Sequence, residues 1–314
     1  MKVLLTGGAG FIGSNFVRLF AHNEFPKFSH LYILDKLTYA GSLDNIESFL
    51  SLPNLTFIQG DILDKSLVSN LAKSVDLVIN MAAESHVDNS IAYPNQFIMT
   101  NIVGTQTLLD ACLHNQVSKF LQVSTDEVYG SIASGSWDEN SKIAPNSPYS
   151  ASKASADLLV YAYHKTYGLN NVITRCTNNF GPNQYPEKII PFFIQRLVAG
   201  KKTPIYGNGN QVRDWLYVDD HCRAIYIASL YGKSGEIYNI GGGKELKNID
   251  LANMIIKFLG FNEDRIEYVK DRPGHDLRYS IIWDKIAQIG YKPKSNFDIQ
   301  FNETLSWYVN KYRD

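Results

Sequence analysis

Residues 2–13 read KVLLTGGAGFIG, a short apolar run followed by glycines that include Gly7, Gly10 and Gly13 at a constant spacing of three. An apolar run that ends at glycines is typical of a buried strand entering a tight turn, and residues 11–22 then carry apolar side chains at helical spacing. Glycine lets the backbone approach a bound group closely. The segment therefore predicts a strand, a ligand-binding turn and a helix.

This turn lies between the first strand and the first helix, where a dinucleotide-binding fingerprint is found. The spacing of its glycines is offset by one residue from the usual pattern. The first N–H groups and the positive end of the helix dipole favour a pyrophosphate there. Asp35 ends the second apolar run, where its carboxylate would accept hydrogen bonds from the adenosine ribose and repel a 2′-phosphate. We predict NAD rather than NADP; the alternative is a glycine turn that only closes a βα corner.

The rest of the chain repeats the alternation of strand and helix. Apolar runs recur at 31–35, 55–61, 76–83, 119–125 and 171–176, and helical stretches between them include about 96–115 and 150–167. Such alternation is typical of a parallel sheet covered on both faces. We predict an α/β fold with a Rossmann-like doubly wound sheet in residues 1–178, to which strands from about 215–240 return, and a smaller C-terminal substrate lobe in 179–314.

The composition excludes several kinds of partner. The 314 residues carry 30 Lys and Arg against 31 Asp and Glu, so nothing favours nucleic acid. The cysteines Cys112, Cys176 and Cys222 lack the spacing of a disulfide framework or a zinc cluster, and no metal is predicted. The sequence contains neither a signal-peptide core nor an apolar run as long as a membrane span. We expect a cytoplasmic protein without a membrane partner.

Tyr149 and Lys153 stand four residues apart in a predicted helix, so their side chains share one face. A phenol keeps its proton up to a pKa of about 10, and a neighbouring cation lowers that pKa. The pair could take a proton from a sugar hydroxyl. The alternative is an ordinary solvated helix face.

The segment STDEVYG, residues 124–130, ends a predicted parallel strand at the edge where open α/β sheets bind ligands. Neighbouring side chains on a strand point to opposite faces. The chain must therefore turn here if Asp126 and Glu127 are to reach the same ligand. The alternative is an acidic surface loop.

These motifs, together with NMAAESHVD at 80–88, resemble the extended short-chain dehydrogenase/reductase family over essentially the whole chain. Within that family, STDEVYG is similar to the dTDP-glucose 4,6-dehydratases. The segments 178–191, 204–221 and 271–279 agree with that narrower resemblance. Related epimerases, decarboxylases and GDP-mannose dehydratases differ at 125–127. The loop between Glu127 and Tyr149 is shorter than is usual in the family, which leaves its contacts undefined.

The resemblance implies the lyase chemistry of deoxysugar synthesis, for example of rhamnose. Tyr149 would take the proton of the hydroxyl on carbon 4 while hydride passes to NAD, and Thr125 would hold that hydroxyl. Glu127 would take the carbon 5 proton and Asp126 would protonate the hydroxyl on carbon 6, after which hydride returns to carbon 6. Asp126 must then have a raised pKa, and the two carboxyls should titrate as a coupled pair. Lys153 would bind the nicotinamide ribose.

The resemblance also implies two binding sets and a homodimer formed through the helices near 96–115 and 150–167. The cofactor set is Gly7, Gly10, Phe11, Ile12, Gly13, Asp35, Lys36, Leu37, Thr38, Asp61, Ile62, Met81, Ala82, Ala83, Glu84, Ser85, Thr100, Tyr149, Lys153 and Asn179. The set for the nucleotide-sugar is Ser85, Thr125, Asn178, Lys188, Ile189, Pro204, Ile205, Tyr206, Arg213, Asn248, Asp271, Arg272, Pro273, Gly274 and His275. Arg213 suits bidentate contact with phosphate.

Two rival functions stay open from the sequence. A UDP-sugar 4-epimerase, a decarboxylase or another dehydratase of the same fold would share Tyr149 and Lys153, but an epimerase or decarboxylase needs no acid at Asp126. A regulator that binds NAD without turnover is a more remote alternative.

Overall fold

The computed structural model describes residues 1–313, except for the side chain of Glu263. The strands, in chain order, are β1 (Lys2–Thr6), β2 (His30–Asp35), β3 (Leu55–Gln59), β4 (Leu77–Asn80), β5 (Lys119–Thr125), β6 (Asn171–Cys176), β7 (Asn178–Phe180), β8 (Thr203–Tyr206), β9 (Val212–Tyr217), β10 (Glu236–Ile240), β11 (Glu245–Lys247) and β12 (Ile266–Val269). The α-helices are α1 (Phe11–Ala21), α2 (Lys65–Ala72), α3 (Val87–Ala92), α4 (Pro94–Phe97), α5 (Thr105–His114), α6 (Pro148–Tyr167), α7 (Ile189–Val198), α8 (Val218–Tyr231), α9 (Asn248–Phe258), α10 (Asp284–Gln288) and α11 (Phe297–Arg313).

Seven of these strands form one parallel sheet in the order β10-β6-β5-β4-β1-β2-β3. One buried cluster packs α1 and α8 against one face, with Phe16 and Ile225 among its members. A second cluster packs α2, α5 and α6 against the other face, with Leu108 and Val160 among its members. The predicted doubly wound α/β fold is confirmed.

The glycine turn follows from close packing between β1 and α1. Gly7 adopts a φ of 71°, and a Cβ on this residue would lie 2.8 Å from the backbone of Ala82. A Cβ on Gly13 would lie 2.2 Å from the carbonyl oxygen of Gly7. Neither position accepts a larger residue without moving the backbone. The helix therefore begins directly against the end of the first strand.

The C-terminal lobe has its own core. It contains a three-stranded sheet in the order β11-β9-β7, the parallel pair β12-β8 and the helices α7, α9 and α11. Within the predicted returning region of about 215–240, β10 joins the large sheet, whereas β9 belongs to the small one. The division of the chain at residue 178 stays a prediction.

The helix predicted near 96–115 consists of three pieces. A π-helical stretch, Ile98–Gly104, joins α4 to α5. Within it the Asn101 side chain accepts from the Glu84 N–H at 2.9 Å and donates to the Glu84 carbonyl at 3.0 Å and to Ser152 Oγ at 2.8 Å. π-Helical turns are common at functional sites.

In residues 1–313 the structure has no helix with the length and apolar character that a membrane span requires.

Candidate active site

A cavity of about 740 Å³ lies at the carboxyl ends of the large sheet's strands and extends into the C-terminal lobe. Both binding sets predicted from the sequence line it, with four exceptions: Leu37, Asp271, Pro273 and Gly274. All five predicted catalytic residues lie in its wall: Thr125, Asp126, Glu127, Tyr149 and Lys153. The fold therefore brings together residues that the chain separates by more than a hundred positions.

Three of the four exceptions have local reasons. Leu37 adopts a φ of 56°, its N–H donates to Asp35 Oδ1 at 2.8 Å, and its side chain packs on the core beneath the sheet. Asp271 Oδ1 lies 2.6 Å from His275 Nδ1, and Asp271 Oδ2 accepts from Gln211 at 3.1 Å. It therefore orients a cavity residue from outside. Gly274 forms the turn between them with a φ of 66°.

The N-terminal end of the cavity fits NAD. Helix α1 has Gly10 as its N-cap, without a side-chain cap and without an acid in its first turn, so its first N–H groups are available to an anion. A Cβ on Gly10 would meet only the Gly7 carbonyl oxygen, at 3.4 Å, so this glycine is open on the cavity side. The Asp35 carboxylate is fixed at the end of β2 because it also accepts from the Ala9 N–H at 2.9 Å.

The acidic pair stands on a turn, as predicted. A 3₁₀ turn, Asp126–Tyr129, follows β5 directly, and Thr125 Oγ1 accepts from the Glu127 N–H at 3.2 Å to cap it. Asp126 is only 2% exposed. Its Oδ2 atom is buried without a hydrogen-bond partner in the part of the chain that the structure describes. A buried carboxyl oxygen in a cavity wall is suited to contact a ligand.

The surroundings divide the two carboxyls. Burial raises the pKa of Asp126 well above its ordinary value, and the negative charges of Glu127 and Asp214 raise it further. Burial also raises the pKa of Glu127, but the positive charges of Lys188, Arg272 and Arg213 lower it. The net pKa shift is upward for both carboxyls, but the cations offset part of the rise at Glu127, so Asp126 favours its protonated form more strongly than Glu127 does. This is the combination of an acid and a base.

Tyr149 and Lys153 project from the first turns of α6. Ser147 and Ser150 form a capping box with Pro148 at the first helical position, which fixes the start of this helix. Lys153 Nζ donates to the Val123 carbonyl at 2.7 Å. This bond holds the lysine beside strand β5.

The expected lowering of the Tyr149 pKa is wrong for this structure. Burial raises the pKa of Tyr149 well above its ordinary value, and the charge of Glu127 adds to the rise, whereas hydrogen bonding with Thr125 opposes it. Burial also lowers the pKa of Lys153. Desolvation of the phenolate thus outweighs the cation that the sequence places one turn away.

Hydrogen bonds within the protein occupy part of the Arg213 guanidinium. Two nitrogens donate to the carbonyls of Val212 and Asp276 at 2.8 and 2.9 Å, and the group lies 4.3 Å from the Tyr279 ring centre. These contacts fix the side chain in the cavity wall. The predicted bidentate phosphate contact must use the remaining N–H groups and stays a prediction.

Several further residues, which had no role assigned from the sequence, line the cavity, among them His86, Asp88, Cys176, Glu187 and Tyr279. Asp88 Oδ2 accepts from the Tyr206 hydroxyl at 3.2 Å, and its Oδ1 lies 3.7 Å from Arg272. His86, Asp88 and Glu187 stand in segments that carry the family resemblance, which was the available signal. Among residues 1–313, no cluster of His, Cys, Asp and Glu is arranged to hold a metal ion.

Known proteins match the chain over almost its full length. The family model described as GDP-mannose 4,6 dehydratase matches residues 4–304. A dTDP-glucose 4,6-dehydratase of Streptomyces niveus is 49% identical over 311 residues, which cover 98% of this chain and 93% of the relative. The low-salt glycan biosynthesis protein Agl12 of Haloferax volcanii is 49% identical over 98% of this chain and 99% of its own length.

Solved structures agree with these matches. The chain superposes with a TM-score of 0.97 and 48% identity on DesIV, a dTDP-glucose 4,6-dehydratase from Streptomyces venezuelae with NAD and TYD bound, covering 99% of this chain and 97% of that one. A UDP-glucose 4-epimerase from Thermotoga maritima has a TM-score of 0.90 but only 28% identity, with 99% of both chains covered. The chain belongs to the family that the GDP-mannose 4,6 dehydratase model describes and, within it, to the dTDP-glucose 4,6-dehydratases.

Proposed function

We propose that this protein is an NAD-dependent hydro-lyase that converts dTDP-glucose to dTDP-4-keto-6-deoxy-glucose. The carrying observation is the pair of adjacent carboxyls at the end of β5, in which burial raises the pKa of Asp126 well above its ordinary value, while three cations offset part of the rise in the pKa of the partly exposed Glu127. Relatives named dTDP-glucose 4,6-dehydratase, at 48–49% identity over nearly the whole chain, support the same reaction. An epimerase has no step that requires this acid.

The first step is oxidation at carbon 4. Oxidised NAD, held at the glycine turn and Asp35, would supply a positive charge, the acceptor for the carbon 4 hydride and, once reduced, the hydride that carbon 6 receives. Tyr149 accepts the proton of the carbon 4 hydroxyl. Thr125 forms hydrogen bonds with Tyr149 and with that hydroxyl. Burial raises the Tyr149 pKa, and the positive charge that the oxidised cofactor would bring beside the phenol would lower this pKa toward the value that a proton acceptor needs.

Elimination of water follows from the 4-keto group, which acidifies carbon 5. Glu127 takes the carbon 5 proton as a general base, and Asp126 gives its proton to the carbon 6 hydroxyl, which leaves as water. Glu127 then returns its proton to carbon 5 as hydride arrives at carbon 6. The hydride taken from carbon 4 ends on carbon 6, so the cofactor is not consumed. The proton that Tyr149 takes from the carbon 4 hydroxyl is released and balances the proton that Asp126 regains after protonating the leaving hydroxyl.

The nucleotide end of the substrate is proposed to lie in the C-terminal lobe. Arg213, Arg272 and Lys188 bring positive charge to the wall of the cavity, which suits a diphosphate. Tyr206 and His275 form an edge-to-face pair with ring centres 6.1 Å apart, which suits an aromatic base. The remaining members of the predicted binding sets stay proposals of the same kind.

Product analysis tests the function. Incubation with dTDP-glucose should produce the alkali-developed absorbance of a 4-keto sugar without added NAD beyond that bound. Conversion of a UDP-sugar to its 4-epimer would favour the epimerase instead. Binding of NAD with every nucleotide-sugar left unchanged would favour a non-catalytic regulator.

A homodimer in the cytoplasm is the proposed state of the protein. Exposed apolar side chains continue from the π-helical stretch, with Ile98 and Met99, to α6, with Leu158 and Tyr161, each at least 45% exposed. A patch of this kind is typical of a protein interface. The described cysteines are all unpaired and buried, which suits a reducing compartment.

A further inference from the structure

The loop after β2 makes a contact across the cavity to the C-terminal lobe. Lys36, Thr38, Ala40 and Gly41 line the cofactor side of the cavity, and Gln184, Tyr185, Glu187 and Lys188 line the opposite wall. The Tyr39 hydroxyl donates to Glu187 Oε1 at 3.3 Å. The Tyr39 and Tyr185 rings meet edge to face with centres 5.3 Å apart. One side chain thus joins the two walls.

The loop is shaped to present Tyr39. The Gly41 N–H donates to the Thr38 carbonyl at 3.2 Å, which closes a turn with Tyr39 and Ala40 at its tip. At the base of the loop, the Asp35 carboxylate accepts from the Leu37 N–H at 2.8 Å. Tyr39 also lines a smaller cavity of about 240 Å³, together with Tyr185 and Tyr312. The neighbouring Ala40 lines both cavities, so Tyr39 stands beside the large one as well.

Glu187 is a constrained partner for this tyrosine. Its carboxylate is 11% exposed and lies 3.8 Å from His86 Nδ1. The next residue, Lys188, donates to the Ser85 carbonyl at 2.7 Å and lowers the pKa of Glu127. Burial, with the charge of Glu187, raises the pKa of Tyr39. The phenol therefore remains a hydrogen-bond donor to the carboxylate at neutral pH.

We propose that Tyr39 is a positioning residue that, through Glu187 and Tyr185, latches the cofactor loop to the C-terminal lobe and slows release of bound NAD. The proposal rests on the proposed function, in which the same cofactor serves every turnover and does not need to be released. Opening the latch separates the loop from residues 184–188 and widens the exit from the glycine turn. Chemistry at Asp126 and Glu127 does not require this motion.

The release rate of the fluorescent reduced cofactor measures how strongly the latch retains it. Protein loaded with NADH is mixed with excess NAD, and the decay of bound-NADH fluorescence gives the release rate. Tyr39→Phe removes one hydrogen bond and should speed release roughly fivefold. Tyr39→Ala also removes the ring contact and should speed release about tenfold or more. The kcat at saturating NAD should change less than twofold in both variants.

Tyr231→Ala is the matched control, because Tyr231 is an exposed tyrosine at the end of α8. It should release NADH at the wild-type rate. A double-mutant cycle isolates the pair: Tyr39→Phe should speed release less in a Glu187→Gln background than in the wild type. Equal acceleration in both backgrounds, or wild-type release from Tyr39→Ala, would overturn the latch. Neither outcome bears on product formation, so the dehydratase proposal is judged separately.

Discussion

Two adjacent carboxyls have different surroundings at the end of β5. The charges of Glu127 and Asp214 raise the pKa of Asp126, whose Oδ2 lacks a hydrogen-bond partner among the described residues. The charges of Lys188, Arg272 and Arg213 instead lower the pKa of Glu127. Asp126 is buried whereas Glu127 is partly exposed, so both exposure and the surrounding charges distinguish the two side chains. The acid and the base of the elimination follow from this difference.

Glu127→Gln should separate oxidation from elimination. The amide cannot take the carbon 5 proton, while Tyr149 and the cofactor site remain in place. We expect the 4-keto-6-deoxy product to form at least about 100-fold more slowly, since a general base contributes about 10²–10⁴-fold. Absorbance of the bound reduced cofactor should accumulate after dTDP-glucose is added. Full dehydratase activity in this variant would refute the role of Glu127.

Lys188→Met should change the pH dependence of elimination. Lys188 lowers the pKa of Glu127, so its removal raises that pKa. The base must be ionised to act, so activity should begin to fall at a higher pH as the solution is acidified. The measurement is the acidic limb of kcat against pH for the variant and the wild type.

The control for this shift is Lys292→Met, which removes an exposed lysine outside the cavity wall. Its acidic limb should match that of the wild type. A Lys188→Met limb at the wild-type position would show that Lys188 does not set the charge state of Glu127. Weaker substrate binding alone changes KM and leaves the position of that limb in kcat unchanged.

At the scale of elements, α6 is fixed to β6 by a buried ion pair. Arg175 Nε lies 2.9 Å from Asp157 Oδ2, with side chains 4% and 2% exposed. The guanidinium also lies 4.7 Å from the Tyr129 ring centre. This helix carries Tyr149 and Lys153, so the pair helps hold the catalytic face against the sheet.

Asp157→Ala should destabilise the fold. It leaves the Arg175 charge buried without its carboxylate, which costs about 3–5 kcal/mol of the free energy of unfolding. Urea denaturation followed by circular dichroism measures the change. The double variant Asp157→Ala/Arg175→Met should recover a large part of the loss, because it removes the unpaired charge. A single variant within about 1 kcal/mol of the wild type would contradict the pair's role.

The helices and strands were predicted correctly from the sequence where the spacing of apolar residues within one segment was sufficient. Apolar spacing predicted α6 and the six N-terminal strands of the large sheet, and the structure confirms them. It did not predict the π-helical stretch Ile98–Gly104 inside the helix near 96–115. That stretch accompanies contacts of Asn101 with Glu84 and Ser152, which come from other parts of the chain.

At the scale of the whole molecule, the exposed face of the π-helical stretch and α6 is the proposed dimer surface. Leu158→Arg places a charge on this face, where Leu158 is 56% exposed. We expect the wild type to sediment as a dimer and the variant to shift toward monomer in analytical ultracentrifugation.

Ile299→Arg is the control, since Ile299 is also 56% exposed but lies on α11. This variant should remain dimeric. A monomeric wild type at micromolar concentration, or a Leu158→Arg variant as dimeric as the wild type, would place the dimer contact elsewhere or exclude it.

The sequence by itself determined the glycine turn and the alternation of strands and helices, because these features depend on neighbours within a few positions. The resemblance of its motifs to a known family made Asp126, Glu127, Tyr149 and Lys153 the candidate catalytic residues. Only the tertiary structure decided the directions in which the pKa values of these four side chains shift. Burial raises the pKa of Tyr149 against the expected effect of Lys153, and Lys188 reaches Glu127 from the other lobe. Desolvation and charge act through space, so they sum over groups that the chain keeps far apart.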